Sequence, residues 1–99
     1  MQFSFTPAAA RKVLAILAER GGGLALRIHI RKSGEGEKWA MTLEPGSAAT
    51  SVVDGVPVVV DTPTEKYLDG MVIDWVQTPE GDGFGVYERN LREINTLQR

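Results

Sequence analysis

Hydrophobic and polar residues recur with two different periods along this chain, and the changes of period mark the predicted elements. Between residues 7 and 20, apolar residues return every three to four positions. This spacing predicts an amphipathic helix with one buried stripe, formed by Ala10, Val13, Leu14 and Leu17. Thr6 is placed to cap the helix and Pro7 suits its first position. The three glycines at 21–23 end it, because glycine accepts the left-handed conformation at a helix terminus.

Residues 24–31 alternate with a period of two, which is typical of a half-buried strand. One face carries Leu24, Leu26, Ile28 and Ile30, and the other carries Ala25, Arg27, His29 and Arg31. The same pattern predicts strands at 38–44, 71–77 and 84–88. Loops are predicted at 33–37 and 79–83, where glycine and charged residues interrupt the alternation.

Turn and capping residues divide the middle of the chain into short elements. The pair Asp54-Gly55 predicts a tight hairpin turn with both central residues at positive φ. Pro57 cannot donate to a strand ladder, so it is expected at a sheet edge or a bulge. Residues 62–65 begin a second, short helix that Gly70 ends. Phe3 and Phe5 are expected to form a short strand or to pack under the first helix.

The last ten residues predict a third helix, over residues 90–98. Asn90 would cap it, with Glu93 three residues on, and an apolar stripe follows at Leu91, Ile94 and Leu97. A helix this short is marginal in water by itself, so its stripe must bury against another surface. That surface is either the rest of this chain or a second copy. Leu91, Ile94 and Leu97 are therefore the interaction candidates, and a homodimer is one outcome.

Length and charge exclude several classes of protein. The chain has 99 residues, which predicts one domain over 1–99, and its net charge is −2 with both signs dispersed. This balance lacks the basic footprint of a nucleic-acid-binding protein. No apolar run approaches the ~20 residues of a membrane span, and no leader-like segment opens the chain. We expect a cytoplasmic protein.

The stretch 53–76 and several segments around it resemble one known family. The closest matches are Asp54-Gly55-Val56, Val59-Val60-Asp61, Tyr67-Leu68-Asp69-Gly70 and Ile73-Asp74-Trp75-Val76. In their order and spacing they resemble the A-type iron–sulfur carriers, also called HesB/IscA-like proteins. The resemblance, together with the alternating strands, implies an α+β fold. Two small, mainly antiparallel or mixed sheets should pack as a flattened sandwich or partial barrel, with an N-terminal helix and short helices.

The departures from this family fall on its cluster ligands. The family carries one cysteine in the loop after the first strand and a Cys-Gly-Cys pair near the C-terminus, but this chain has no cysteine. The first position is matched by Glu35, and the pair falls near Asn95 and Leu97. Carboxylate and amide groups do not replace soft thiolates as ligands of an iron–sulfur cluster. The family's ligands therefore transfer to no residue here, and no bound cofactor is expected.

Three hypotheses remain open at this stage. In the leading one, the protein is an accessory or adaptor in iron–sulfur cluster assembly that contacts a scaffold, a carrier or an apo-target. In the second, Glu35, Glu37 and His29 bind iron or zinc, although His29 fits an exposed strand position better. In the third, the protein has kept the fold and left the pathway. An enzyme is not expected, because no nucleophile-and-base pair is visible.

Overall fold

A computed structural model describes residues 2–34 and 36–89, with only the backbone described for residues 32, 33, 36 and 37. Within this part, two α-helices and a short 3₁₀ helix, Gly46–Ala48, accompany seven strands. The helices are α1, Pro7–Glu19, and α2, Thr62–Leu68. The strands are β1, Ser4–Phe5; β2, Leu24–Ser33; β3, Gly36–Pro45; β4, Ser51–Val53; β5, Val56–Val59; β6, Met71–Thr78; and β7, Gly81–Glu88.

The strands form two mixed sheets. In the four-stranded sheet the order is β3-β2-β5-β4, with β2 and β5 parallel and the other neighbours antiparallel. The three-stranded sheet has the order β1-β6-β7, with β1 parallel to β6 and β7 antiparallel to it. The α+β class and the pair of small, mainly antiparallel sheets predicted from the sequence are confirmed.

The core lies between the inner faces of these sheets, with α1 packed against both. Alternation along β2 is as predicted only in part: Leu26 and Ile28 are buried in the core and Arg31 is exposed, but Ala25, predicted on the outer face, is completely buried. The largest completely buried side chains come from both helices and from three strands: Val13, Ile28, Val56, Val58, Leu68 and Ile73. Each such side chain contributes roughly 1.5–3 kcal/mol of hydrophobic stabilisation when it leaves water.

Helix α1 begins as its sequence predicts but buries a slightly different stripe. The Thr6 hydroxyl accepts a hydrogen bond from the Ala9 N–H at 3.2 Å, and Pro7 occupies the first turn. The buried residues are Ala9, Val13 and Leu17, which recur every four positions, whereas Leu14 is 42% exposed. The prediction for Leu14 is wrong because that residue lies about 100° around the helix from Val13.

Strand β1 connects the N-terminus to both sheets. Phe3 and Phe5 are buried in the core, with their rings in an edge-to-face contact at 5.6 Å, and of the two only Phe5 lies within the short strand. The Phe5 N–H donates to a carboxylate oxygen of Asp54 in the β4–β5 turn at 2.8 Å. The Thr6 N–H donates to the Ile73 carbonyl of β6 at 2.9 Å. One short segment thus joins the two sheets.

The β4–β5 hairpin has the predicted turn but not the predicted place for its proline. Asp54 and Gly55 have φ values of 50° and 82°, as a tight turn with two left-handed residues requires. Pro57 lies opposite Val52 in β5, which is an inner strand, and the register has no bulge there. Pro57 is tolerated because its nitrogen points away from β4, and registered pairing with β2 begins only at Val58.

The remaining boundaries differ from the sequence prediction by a few residues. Helix α2 is capped by Asp61, one residue before its predicted start, and Gly70 follows it with φ of 81°. Strand β7 begins at Gly81, three residues early, because its glycines pair with β6 despite their lack of side chains. The helix predicted over residues 90–98 lies outside the described residues.

The Asp54-Gly55 turn makes a direct prediction for stability. A Cβ added at Gly55 meets no atom within 4 Å, so any cost is purely conformational. Replacing Gly55 with Val should lower the free energy of unfolding by ~1–2 kcal/mol, because a β-branched residue is strained at positive φ. Gly55→Asn is the matched control, since asparagine tolerates this conformation. Equal denaturant midpoints for the two variants would contradict the turn assignment.

Candidate functional site

The tip of the β2–β3 hairpin is the first candidate site, because it holds the position of the family's missing cysteine. Strand pairing continues up to Ser33 and Gly36, which leaves a two-residue turn at positions 34 and 35. This turn is tighter than the five-residue loop predicted at 33–37. Glu35 itself lies outside the described residues.

His29 lies farther down the same hairpin, and its environment differs from the prediction. The residue is half-buried, and its Nδ1 is buried without a hydrogen-bond partner among the described residues. The expectation of an exposed histidine is therefore wrong. The reason is that α2 packs against β2. Asp61, which caps α2, lies close enough to His29 for the histidine to contribute to the lowered pKa of the Asp61 carboxyl. The polar face of β2 is covered at this point rather than open to water.

Two of the three proposed metal ligands lie apart along the hairpin. The backbone of Glu37 pairs with that of Lys32, three residues along β2 from His29, a distance of about 10 Å in a strand. In the part of the chain that the structure describes, no group of three or more potential ligands is positioned to hold a metal ion.

A row of charges occupies the polar face of the four-stranded sheet. The guanidinium of Arg27 lies 3.4 Å from a carboxylate oxygen of Glu44 on β3. Both side chains are partly exposed, so this pair contributes at most about 1 kcal/mol. Asp61, just beyond β5, accepts hydrogen bonds from the Thr64 hydroxyl and N–H, and these lower its pKa, with a further contribution from Arg27 and His29. The arrangement caps α2 and holds these charges in place.

The interaction candidates from the sequence cannot be placed, but other exposed apolar residues can. Leu91, Ile94 and Leu97 lie outside the described residues. Within the described ranges, the exposed large apolar side chains are Val52 at 69%, Tyr67 at 50%, Leu14 at 42% and Val76 at 41%. Sequence reasoning missed Val52, because an alternating pattern does not reveal which strand ends at a sheet edge.

No helix in residues 2–34 and 36–89 is both long and apolar enough to cross a membrane.

Comparison with known proteins identifies close relatives. No protein-family model matches the chain. The iron-binding protein IscA of Klebsiella pneumoniae is 34% identical over 97 residues, which cover 94% of this chain and 91% of that protein. The structure of SufA from Escherichia coli, involved in the biosynthesis of iron–sulfur clusters, matches with a TM-score of 0.69 and 22% identity over 87% of this chain and 79% of that one. A structure of IscA with a 2Fe–2S cluster matches with a TM-score of 0.65 and 19% identity, over 90% and 84% of the two chains.

The lowered pKa of Asp61 predicts a specific dependence of stability on pH. Because the folded pKa lies below the ordinary value of 3.8, ionised Asp61 stabilises the fold above that pH. This stabilisation is lost as the pH falls through the folded pKa. Asp61→Asn keeps an oxygen that caps α2 but removes the charge. It therefore isolates the contribution of the Asp61 charge to the free energy of unfolding.

We expect urea denaturation to show Asp61→Asn less stable than the unmodified protein at pH 7, with the difference shrinking below about pH 4. Asp61→Ala, which also removes the cap of α2, should have the lower free energy of unfolding of the two variants at pH 7. A difference for Asp61→Asn that stays constant from pH 7 to pH 3 would contradict the charge assignment.

Proposed function

Because the chain belongs to the IscA family, at 34% identity over nearly its whole length, we propose that it serves iron–sulfur cluster assembly through protein contacts rather than by carrying a cluster. In this proposal it is an accessory or adaptor and not an enzyme. Its partners are a cluster scaffold, a cysteine-bearing carrier or an apo-protein that receives a cluster. The observation behind the proposal is a preserved family fold in a sequence that contains no cysteine.

The chemistry of the available donor groups argues against cluster binding. Iron–sulfur clusters are held by cysteine thiolates, in some cases with histidine on one iron. This chain has no thiolate and one histidine, and the Nδ1 of that histidine is buried. Carboxylates such as Glu35 suit harder ions. The residues present therefore do not fit a cluster, and we derive no step of cluster transfer through this chain.

The preserved fold supports a role in protein contact. The two sheets and α1 retain the arrangement of the SufA and IscA structures over 87% and 90% of this chain. A surface that a partner recognises on such a fold can form without cysteine, because the core of this chain is built from aliphatic and aromatic side chains alone. A member without cysteines can therefore compete for, or combine with, the same partners. The exposed Val52 and Tyr67 are the first residues to test in such a contact.

The alternative of a carboxylate metal site has less support. A metal site held by protein side chains alone needs three or more ligands that converge on one point. The hairpin register separates the backbone positions of His29 and Glu37 by about 10 Å along the strand. We therefore do not favour a site formed by Glu35, Glu37 and His29. The stand-alone hypothesis has no feature of the fold in its favour, and it becomes an outcome of the binding experiment below.

Reconstitution tests the absence of a cluster. After anaerobic incubation with iron and sulfide and removal of unbound ions, we expect the protein to show no visible absorption, because it offers no thiolate. A cysteine-bearing IscA protein treated in parallel is the positive control. A stable visible charge-transfer band that elutes with the monomeric protein would overturn the proposal.

Direct binding tests the adaptor role. Purified protein should bind at least one of three partners from the same host, measured by calorimetry: an IscA-type carrier, a cluster scaffold or an apo iron–sulfur protein. We expect micromolar affinity, about −8 kcal/mol, as for a transient contact. Val52→Ser and Tyr67→Ser should then show which exposed face binds. If none of the three binds, the proposal fails and the stand-alone hypothesis is the better account.

A further inference from the structure

Strand β3 forms one long edge of the four-stranded sheet. Within the described residues it pairs with β2 alone, at the end of the order β3-β2-β5-β4. The strand at the other edge, β4, has three residues, whereas β3 has ten. A long edge presents N–H and C=O groups that can pair with a further strand, and natural proteins keep such edges short or covered. The β3 edge is therefore the place where this sheet can accept another strand.

The register of the β2–β3 hairpin identifies the backbone groups that face this edge. Ser33 and Gly36 pair across a two-residue turn, and a turn of this length closes on a hydrogen-bonded pair. Hydrogen-bonded and non-hydrogen-bonded pairs alternate along an antiparallel ladder, so every second residue after Gly36 bonds to β2. The residues between them, Trp39, Met41 and Leu43, direct their N–H and C=O groups to the free edge.

The side chains of these three residues form an incompletely buried apolar row. Trp39, Met41 and Leu43 pack against the core, yet each remains half-buried. Ile28, which pairs with Met41 from the neighbouring strand, is completely buried. Apolar burial therefore decreases from β2 to β3, and a strand placed beside β3 would remove more of this row from water.

The sequence of β3 is complementary to itself in one antiparallel register. If Met41 faces Met41 of a second copy, then Trp39 faces Leu43 and Lys38 faces Glu44. Aromatic–aliphatic pairs and pairs of opposite charge both stabilise neighbouring strands. We propose that β3 pairs in this register with β3 of a second copy, around a twofold axis at Met41. The two four-stranded sheets then join into one continuous sheet.

Other registers of the same pairing are less favourable. A slip of one residue turns the apolar side chains to the polar face. A slip of two residues keeps the faces together but separates Lys38 from Glu44, and in one direction it places Pro45, which has no N–H, opposite Trp39. In the proposed register, Lys38 of the second copy joins the Glu44 carboxylate, which already lies 3.4 Å from the Arg27 guanidinium.

The long edge of the other sheet, β7, lacks this self-complementarity. The hairpin rule applied to β6 and β7 directs the backbone groups of Phe84 and Val86 to the free edge. When these two residues face each other in two copies, Asp82 faces Glu88. Like charges directly opposite each other destabilise a strand pair. Charge complementarity therefore selects β3 as the contact between copies.

A dimer through β3 leaves the opposite edge of the sheet accessible. Val52, one of the exposed residues to be tested for partner binding, lies on β4 at that opposite edge. The inference goes beyond the proposed adaptor role and does not depend on it, because it rests on the register, burial and charges of β3 alone.

Cysteine cross-linking tests the pairing and its register in a chain that contains no other cysteine. Facing residues of a hydrogen-bonded pair have Cα atoms about 5.5 Å apart, within the range of a disulfide. Met41→Cys should therefore form a covalent dimer under mild oxidation. Leu43→Cys is the matched control, because Leu43 is half-buried on the same face but would lie about 13 Å from its own copy along the strands. Equal cross-linking of both variants, or of neither, would overturn the proposal.

Charge reversal tests the pair formed by Lys38 and Glu44. We expect sedimentation of the unmodified protein to show a monomer–dimer equilibrium in the micromolar range, as for a small interface. Lys38→Glu alone and Glu44→Lys alone should each weaken self-association about tenfold, because each places like charges opposite each other twice. An equimolar mixture of the two variants should associate again, since both cross-strand pairs are then of opposite charge. Lys66→Glu, which reverses an exposed charge on α2, should leave the dissociation constant unchanged.

Two results of the sedimentation experiment would contradict the proposal. If the two single variants do not associate on mixing, or if neither weakens the dimer, the copies do not meet through these charges. If the unmodified protein is a monomer up to millimolar concentration, a second copy is not the occupant of this edge. The β3 edge would then be left for an extended segment of a different protein.

Discussion

The relative position of the two sheets depends on one short segment, residues 3–6, which is hydrogen-bonded to both. Its backbone donates from Phe5 to the Asp54 carboxylate of one sheet and from Thr6 to the Ile73 carbonyl of the other. Hydrogen bonds to a charged acceptor contribute roughly 1.5–3 kcal/mol, more than those between neutral groups. Thr6 also donates its hydroxyl to Asp74 at 2.7 Å while accepting from the first turn of α1. The position of α1 on the core is thus fixed by Thr6, the residue between β1 and α1.

Local chemistry was predictable because it acts over three or four residues. Thr6 as a cap, Asp54-Gly55 as a turn and the extended strand β2 each follow from short-range sterics and hydrogen bonding, and each is found. Errors arose where a distant element decides. Leu14 is exposed because the sheets contact the neighbouring stripe of α1, and Pro57 lies in an inner strand because β2 pairs with β5 across some 30 residues of chain. No local pattern contains that information.

The candidate site also combines features that the sequence alone predicts with features that distant elements decide. That no thiolate exists was plain from composition, so the absence of cluster ligands required no structure. The surroundings of His29 were not predictable from the sequence. They depend on α2 and Asp61, which pack against β2 although they lie more than 30 positions later in the chain. The relation of His29 to Glu37 depends on the register of a hairpin whose turn is two residues long. With a loop of five residues, as the sequence suggested, the register would not have decided whether His29 and Glu37 can reach the same metal ion.

Fold and cluster chemistry are separable in this protein for a physical reason. The completely buried side chains, such as Ile28, Leu68 and Ile73, are aliphatic. The chain has no cysteine, so the apolar contacts between the two sheets and α1 are made without a single thiolate. The fold is therefore stable on apolar burial that needs no cluster, and a likeness of fold does not by itself carry cluster chemistry, because function is argued from a site and not from a fold.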